Sequence, residues 1–275
     1  MKEATIIGGD GHIARSSGLW VKEKFYYLQR YLDIFSVGMG KKWAGKLYYI
    51  DLFAGPGRCQ IRETQEEVDG SPLIALKFAF AEYFFFEADI ASYRALKARI
   101  ETRAPEKVKN VHIINGDCNS SINDVNPPDN SLGLAFIDPT GISQSAFETI
   151  RKLAENRKID LIINFPEGMG IRMNLHQYQQ GEKSALDRYM GSSRWQDRYR
   201  NTLTSFDQAC REIANEYLEN LRALGYLALN DDWIPVKANK NTLLYYLFFA
   251  SKNPRGNDFW RKIQLINPHG QRNMF

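Results

Sequence analysis

Hydrophobic and polar positions at the start of the chain follow a helical period. Between Trp20 and Phe35 the apolar side chains recur at a spacing that predicts one amphipathic helix. The 18 residues at the start of the chain are rich in glycine and indicate irregular structure. We therefore predict an N-terminal helical extension over residues 1–45, ahead of the first strand.

The middle of the chain alternates between short apolar runs and amphipathic stretches. Five apolar runs predict buried strands, which lie at 48–53, 83–87, 111–115, 132–138 and 159–165. Helices are predicted between them, and the pair Ser71-Pro72 is typical of a helix N-terminus. The charged stretch RCQIRETQEEVD (58–69) is predicted to be a loop. Strands that alternate with helices in this way indicate a parallel sheet.

The pattern changes after the fifth strand. Residues 168–201 are polar and rich in Arg, Tyr, Asn and Gln, and we interpret them as a helical insertion. A long helix is predicted at 205–225 and a last helix at 256–265. Between these helices two strands are expected, YLALN (226–230) and TLLYYLFFAS (242–251), with a turn-like segment between them.

The closing strands decide the predicted fold class. A dehydrogenase with two Rossmann halves needs further βα units, whereas this chain ends in two strands that indicate an antiparallel hairpin at the sheet edge. The predicted fold is therefore α/β, with a mostly parallel, Rossmann-like sheet, a C-terminal antiparallel hairpin and a helical insertion. We expect a single domain over residues 1–275.

Composition and charge narrow the classes of protein that fit. Of the 275 residues, 44% are hydrophobic and 25% are charged, which is ordinary for a soluble globular protein. No apolar run approaches the roughly 18 residues of a membrane span, and the N-terminus lacks the apolar core of a signal peptide. The formal charge of +4 permits a nucleic-acid partner without requiring one.

The cysteines bear on metal binding and on compartment. Cys59, Cys118 and Cys210 lie far apart and do not have the spacing of metal ligands. An odd, scattered set is typical of reduced thiols in the cytosol. We therefore expect a cytoplasmic protein with no metal site and no membrane association.

The ends of the first three strands carry residues typical of a nucleoside cofactor site. Open α/β sheets bind ligands at the carboxyl ends of their strands. Glycines after the first strand let the backbone approach a ligand, and an acid that ends the second strand can accept both ribose hydroxyl hydrogens. The acid after the third strand is placed to meet an adenine amine. The predicted cofactor-binding residues are Asp51, Phe53, Ala54, Gly55, Gly57, Glu87, Asp117, Cys118 and Asp138.

Two cofactors compete for this pattern, NAD and S-adenosylmethionine. The turn Gly55-Pro56-Gly57 is followed by Gln60, so the G-x-G-x-x-G pattern of dinucleotide sites is absent. Twelve residues separate Gly57 from the next helix start near Gly70, which weakens capture of a pyrophosphate by the helix N-terminus. S-adenosylmethionine has no phosphate and needs no such cradle. The sequence therefore favours S-adenosylmethionine.

The fourth strand ends in a candidate reaction centre, Asp138-Pro139-Thr140-Gly141. It resembles the Asp-Pro-Pro-Tyr and Asp-Pro-Phe-Gly motifs of amino-methyltransferases that act on adenine or guanine. In those motifs the Asp and a backbone carbonyl accept hydrogen bonds from an exocyclic amine, and positioning supplies much of the rate. The predicted catalytic residues are therefore Asp138, Pro139 and Thr140. Because Thr140 is not aromatic, base stacking must come from elsewhere, and Phe165 or Tyr178 are the candidates.

Other polar residues leave alternatives open. Asn164-Phe165-Pro166 resembles an Asn-Pro-Pro variant and is a candidate second wall of the pocket. The chain has no Pro-Cys pair, which argues against methylation of cytosine C5. Among the histidines, His176 is the best-placed candidate for a role in the site, because it follows the end of the fifth strand. Two groups of basic side chains are candidates for phosphate contacts, although charged helical faces of this kind are commonly only solvated. They are Arg94, Lys97, Arg99, Arg103, Arg194, Arg198 and Arg200.

Several stretches together resemble the three-Cys-motif partner protein (TcmP) family over nearly the whole chain. They are DGHIARSSGLWVKEKFYYLQRYL, YIDLFAGPGR, DGSPLIAL, AFIDPTG, LIINFP and KANKNTLLYYLFFASKNPRGNDFWRKI. The first and last are the more specific, because general methyltransferases lack them. The resemblance implies a Rossmann-like class I methyltransferase fold, and it makes a protein that carries the three-Cys motif a candidate partner. It does not supply a substrate.

Three functional hypotheses follow. The first is an S-adenosylmethionine-dependent methyltransferase that methylates an exocyclic amine, on a nucleic-acid base that a duplex would have to flip out. The second is a catalytically inactive partner-binding module, favoured by Thr140 in place of an aromatic residue. The third is methylation of a small molecule or a protein, favoured by the modest charge.

Overall fold

The computed structural model describes residues 4–155, 157–179, 184–201, 205–227, 233–238, 241–268 and 270–271. The strands are β1 Thr5–Ile7, β2 Ile13–Ser17, β3 Leu47–Asp51, β4 Arg58–Ile61, β5 Glu67–Asp69, β6 Glu82–Glu87, β7 Val111–Asn115, β8 Leu132–Ile137, β9 Lys158–Phe165, β10 Ile234–Lys237 and β11 Leu243–Ala250. The α-helices are α1 Trp20–Gly40, α2 Ser71–Ala75, α3 Ile90–Arg103, α4 Cys118–Ser121, α5 Phe147–Ala154, α6 Leu175–Tyr178, α7 Ala185–Met190, α8 Trp195–Asn201, α9 Phe206–Ala223 and α10 Pro254–Gln264. Shorter helical turns are Pro105–Asn110, Ile122–Asp124, Ile142–Gln144 and the π-helical turn Glu167–Arg172.

A seven-stranded sheet forms the centre of the described structure, in the order β10-β11-β9-β8-β3-β6-β7. Strands β9, β8, β3, β6 and β7 are parallel, and β11 is antiparallel to both of its neighbours. The fold is thus a mixed α/β arrangement with a mostly parallel, Rossmann-like central sheet, as predicted. The chain leaves β3 towards β6 on one side and later returns to β8 on the other. Ligands of open sheets bind at such a switch point, and Asp51 ends β3 there.

The central strands form because both of their faces are covered. All five residues of β3 are buried, and so are seven of the eight residues of β9. On one face α1 packs against the sheet, and the ring centroids of Tyr31 and of Phe249 in β11 lie 4.7 Å apart. On the other face Phe165 stacks on Phe248 at 4.7 Å. Continuous apolar runs are what a doubly covered parallel sheet requires, and this is why the sequence predicted these strands.

A second, four-stranded sheet corrects two sequence predictions. The first 18 residues, expected to be irregular, contain β1 and β2, and the segment 58–69, expected to be a loop, contains β4 and β5. These strands pair in the order β1-β2-β4-β5, with β2 parallel to β4. The physical reason for the error is that these strands are short and polar and pair across more than 40 residues (Arg15 with Cys59), which local periodicity does not reveal.

Arg99 of α3 fastens this small sheet to the turn after β3. Its guanidinium forms hydrogen bonds with both carboxylate oxygens of Asp10, at 2.7 and 2.8 Å, and donates to the carbonyl oxygens of Ile13 and Pro56 at 2.7 and 2.6 Å. The residue is only 2% exposed. The sequence suggested Arg99 as a phosphate contact, and this was wrong. Arg99 instead holds the N-terminal strands over the glycine-rich turn.

The C-terminal hairpin is present, but its first strand lies elsewhere than predicted. In the predicted strand 226–230, the described residues Tyr226 and Leu227 make only one isolated bridge, from Leu227 to Ser251, and residues 228–230 lie outside the described part. The strand that pairs with β11 is β10, which lies inside the segment predicted to be turn-like between the two expected strands. The pattern was misread because in β10 two buried residues alternate with exposed ones, among them Pro235, a residue typical of sheet edges.

The segment read as an insertion carries short helical elements, and ion pairs connect it to α9. The π-helical turn, α6, α7 and α8 lie there, while residues 180–183 are outside the described part. Arg198 of α8 forms ion pairs with Glu212, Glu216 and Glu219 of α9. Its charge is therefore compensated within the fold. No helix among the described residues is long and apolar enough to cross a membrane.

Candidate functional site

A cavity of about 700 Å³ lies at the carboxyl ends of β3, β8 and β9. Its wall takes residues 53–57 from the turn after β3 and residues 138–143 from the turn after β8. The N-terminal turns of α1 and the small sheet provide further parts of the wall, including Lys24 and Arg15. This volume lies within the range of about 300–1,000 Å³ that small-molecule sites occupy.

The glycine-rich turn brings backbone to the cavity in a conformation that side chains disfavour. Gly55 and Gly57 have φ angles of +64° and +82°, in the left-handed region. A Cβ atom on Gly57 would lie 2.9 Å from Cδ1 of Leu96, and one on Gly55 would lie 3.3 Å from the Arg15 guanidinium. Phe53 and the glycines line the cavity, so the turn forms a surface that a ligand can approach closely.

Asp51 lies at the end of β3, beside this turn. Its side chain is fully buried, and Oδ1 accepts a hydrogen bond of 3.1 Å from the Phe53 amide. Oδ2 is buried and makes no hydrogen bond of good geometry, although the Ser71 hydroxyl lies close enough to influence it. Burial raises the pKa of Asp51 to about 7. The Ser71 hydroxyl and the Phe53 amide act in the opposite direction and lower that pKa, because they stabilise the ionised carboxylate. Asp51 itself lies outside the cavity wall, behind Phe53 and Ser71, so its contact with a cofactor stays a prediction.

Glu87, at the end of β6, is tied to the same turn. Its Oε1 accepts a hydrogen bond of 2.7 Å from the Asp89 amide. Burial raises the pKa of Glu87, and the amides of Asp89 and Gly55 and the charge of Arg15 oppose that rise. The carboxylate therefore adjoins the cavity through Gly55 and Arg15 and is not itself part of the wall. Its ribose-binding role stays a prediction.

Asp117 and Cys118, at the end of β7, also lie outside the cavity wall. Asp117 caps α4, where its Oδ1 accepts hydrogen bonds from the backbone and side-chain amides of Asn119 at 2.9 and 2.6 Å. Cys118 is 2% exposed, and burial raises the pKa of its thiol to about 12. That thiol is protonated at neutral pH, so it is no nucleophile. The cofactor contact of both residues stays a prediction.

Asp138 is the centre of a buried polar cluster on the opposite wall. Its Oδ2 lies 2.5 Å from Lys24 Nζ, and its Oδ1 accepts a hydrogen bond of 2.6 Å from Asn164 Nδ2. Asp138, Lys24 and Asn164 are 7, 9 and 5% exposed. Pro139 and Thr140 are also on the wall, and the Thr140 amide donates to Gln144 Oε1 at 2.7 Å. The predicted catalytic residues therefore do meet at the cavity.

Lys24 is the functional residue that sequence reasoning missed. It lies four residues after Trp20 and four before Leu28, on the apolar stripe of α1. A lysine on the buried face of an amphipathic helix is a signal that could have found it, because such a charge needs a partner.

The two candidates for base stacking behave differently. Phe165 is fully buried and stacks on Phe248, so it cannot face a ligand, and that candidate was wrong. Tyr178 is half-buried, lines the cavity and donates to the Gly170 carbonyl at 3.3 Å. His176 is exposed and outside the wall. Among the described residues, no group of three or more His, Cys, Asp or Glu side chains is arranged to hold a metal ion.

Cationic side chains outnumber carboxylates on the cavity wall, but two of them are paired, Lys24 with Asp138 and Arg58 with Asp10 and Glu67. The wall contains four cationic side chains, Arg15, Lys24, Arg58 and Arg62, and one carboxylate, Asp138. Arg62 is exposed, and its guanidinium lies 4.9 Å from the ring centroid of Trp20, a half-buried aromatic on the same wall. An aromatic ring beside an arginine is a combination that binds unstacked bases and phosphates.

Comparison with known proteins supports the fold. The Legionella pneumophila protein LPL1258 superimposes with a TM-score of 0.51 at 12% identity, covering 93% of this chain and 95% of that one. The methyltransferase domain of bacterial CtHen1 (fragment CN) gives a TM-score of 0.44 at 12% identity, over 82% of this chain and 99% of that domain. No family model matches the chain, and no curated protein matches it in sequence. The resemblance to the three-Cys-motif partner family stays a prediction.

Proposed function

We propose that this protein is an S-adenosylmethionine-dependent methyltransferase. The observation that carries the proposal is that one cavity joins two kinds of wall. One wall has the left-handed glycine turn with the buried, unpartnered Oδ2 of Asp51 close behind it, and the other has the Asp138 cluster. A cofactor site and a site for a polar acceptor would then lie side by side, which group transfer requires.

The chain's residues fit this cofactor in charge and in shape. Gly55 and Gly57 leave room for the close approach of a ligand, and Asp51 Oδ2 would accept a hydrogen bond from the cofactor's ammonium group. Glu87 would receive the ribose hydroxyls and Asp117 the adenine amine. When bound, S-adenosylmethionine supplies an activated methyl group, so the protein has chiefly to position the acceptor.

The acceptor that fits the second wall best is the nitrogen of an exocyclic amine. A carboxylate has about four lone-pair positions, so Asp138 can accept a further hydrogen bond beside those from Lys24 and Asn164. Asp138 and Pro139 would orient the amine, and Tyr178 would stack on a base. The cationic wall residues favour an acceptor on a nucleic acid, and a duplex target would have to be flipped out.

A second candidate is a partner-binding module without turnover, the partner being a protein that carries a three-Cys motif. The observation that favours it is that Asp138 is already engaged on both oxygens, while Thr140 is exposed and holds no aromatic ring over the cavity. A third candidate, a small-molecule or protein acceptor, rests only on the modest net charge.

Transfer of a tritiated methyl group separates these candidates. Purified protein is incubated with labelled S-adenosylmethionine and, separately, with total RNA, genomic DNA and a protein extract. We expect label in a nucleic-acid fraction, alkali-stable and on a base, and loss of at least about 100-fold of it in Asp138→Ala. Full activity of Asp138→Ala would contradict the assigned reaction centre. Binding of the cofactor without transfer to any fraction would favour the partner-binding module.

A further inference from the structure

Two polar atoms of the Asp138 wall are buried without a partner. They are Asn164 Oδ1 and the Tyr245 hydroxyl oxygen, and both residues line the cavity. Their residues are 5 and 7% exposed. Leaving such a group unpaired is unfavourable, and native proteins rarely do so without reason.

The orientation of the Asn164 amide is fixed by chemistry. Asp138 Oδ1 lies 2.6 Å from the Asn164 amide, and an ionised carboxylate only accepts hydrogen bonds. The nitrogen must therefore face Asp138, which leaves Oδ1 as the atom that needs a donor. Lys24 completes the arrangement, because its ammonium holds the other oxygen of Asp138.

Tyr245 is a neighbour of Asn164 on the same face of the sheet. Leu247 pairs directly with Asn164 across β11 and β9, and Tyr245 lies two residues before Leu247, so its side chain points to the same side. Lys24 Nζ lies 5.8 Å from the Tyr245 ring centroid. Burial and the charge of Asp138 raise the pKa of Tyr245 well above its usual value, so the phenol keeps its proton and can donate.

We propose that Asn164 and Tyr245 form the acceptor subsite, in which Asn164 Oδ1 accepts an N–H of the exocyclic amine and the Tyr245 hydroxyl donates to the neighbouring ring nitrogen. This subsite rests on the proposed methyltransferase function and names its substrate class. An amine next to a ring nitrogen acceptor is found on adenine, on cytosine and, at N2 beside N3, on guanine. Asn164 is then a catalytic residue that supplies the second N–H acceptor beside Asp138, and Lys24 is a positioning residue that holds Asp138.

Matched pairs of free bases test the subsite without turnover. Each pair differs by the exocyclic amine: adenine and purine, cytosine and 2-pyrimidinone, guanine and hypoxanthine. Their affinities are measured at saturating S-adenosylhomocysteine, so that the cofactor's adenine position is filled. In the wild type we expect the amine to improve binding about fivefold or more in at least one of the three pairs.

The variants then locate the contact. In Asn164→Ala the preference for the amine should fall to within about twofold, and in Tyr245→Phe both members of a pair should weaken about three- to tenfold. Tyr226→Phe is the matched control, because Tyr226 is also buried with an unpartnered hydroxyl but does not line the cavity. It should bind like the wild type. If Asn164→Ala does not fold, Asn164→Leu serves instead, since it keeps about the same side-chain volume and removes the acceptor oxygen.

The possible results distinguish failure of the subsite from failure of the proposed function. A preference that persists in the folded Asn164 variant overturns the subsite while the proposed function stands. The absence of any preference in wild-type protein that binds S-adenosylhomocysteine overturns the subsite as well. A protein that binds neither S-adenosylmethionine nor S-adenosylhomocysteine overturns the proposed function, and the subsite with it.

Discussion

Lys24 Nζ lies 2.5 Å from Asp138 Oδ2, and the two side chains are 10 and 8% exposed. The pair joins the first turns of α1 to the end of β8, 114 residues later in the chain. A buried pair of this kind costs desolvation on both sides and is held by good geometry and further hydrogen bonds, here from Asn164. It fixes one wall of the cavity and makes the N-terminal helix part of the site.

Removal of one partner of this pair should be costly. In Lys24→Met the Asp138 carboxylate stays buried without its counter-charge, and we expect the free energy of unfolding to fall by about 2–4 kcal/mol in urea denaturation. The double variant Lys24→Met/Asp138→Asn should recover much of that loss, because no lone charge remains. Losses that simply add in the double variant would show that the two side chains do not interact.

We expect the Asp51 carboxylate to lower the stability of the folded protein and to strengthen the binding of S-adenosylmethionine. Its pKa of about 7 means that ionisation in the folded state is unfavourable at neutral pH. Asp51→Asn should therefore raise the free energy of unfolding at pH 7.5 by about 1–3 kcal/mol and weaken S-adenosylmethionine binding at least about tenfold. Thermal unfolding and calorimetry check the two effects separately. A variant that is both less stable and equally good at binding would refute the assigned role.

Stability should depend on pH through Asp160. This carboxylate is fully enclosed, accepts a hydrogen bond of 2.8 Å from the Tyr31 hydroxyl, and has its pKa raised by burial to about 6. The folded state thus holds the proton more tightly than the unfolded chain, whose Asp pKa is about 3.9. The stabilising proton is lost as the pH rises through about 4 to 6, so the stability of Asp160→Asn relative to the wild type should increase across that window. A pH-independent difference, from urea titrations at pH 4, 5, 6 and 7, would contradict this.

Gly57 should tolerate no side chain. Its φ of +82° and the 2.9 Å approach of a Cβ to Leu96 Cδ1 predict that Gly57→Ala loses about 2–4 kcal/mol of stability and much of its cofactor affinity. Gly225→Ala is the matched control, with a φ of +87° and nothing within 4 Å of the added Cβ. It should lose only about 1 kcal/mol. Equal losses in both variants would mean that the contact with Leu96 has no effect.

Arg99 should hold the small sheet in place. In Arg99→Lys the forked contacts to Asp10 and to the Ile13 and Pro56 carbonyls cannot all be kept, so backbone amides of β1 and β2 should exchange hydrogen about tenfold faster or more. Arg151→Lys, in an exposed pair with Glu148, is the control and should leave exchange unchanged. Unaltered protection of β1 and β2 in Arg99→Lys would show that the sheet is held by other contacts.

The sequence was informative wherever structure is decided locally. The central strands are continuous apolar runs, and the left-handed turn after β3 needs the glycines that mark it. The small sheet was missed because it forms between residues 5–17 and 58–69, and neither segment has an apolar face of its own that would predict it. The Lys24–Asp138 pair was missed for the same reason, since only the folded chain brings α1 to the end of β8.

Calorimetric titration of the wild-type protein with S-adenosylmethionine tests the central claim most directly. We expect one site per chain and a dissociation constant on the order of micromolar, which corresponds to about −8 kcal/mol. The tenfold or greater loss in Asp51→Asn, beside unchanged binding in Tyr226→Phe, would place the cofactor at the turn after β3. No heat of binding at millimolar cofactor, with a correctly folded protein, would contradict the proposed function.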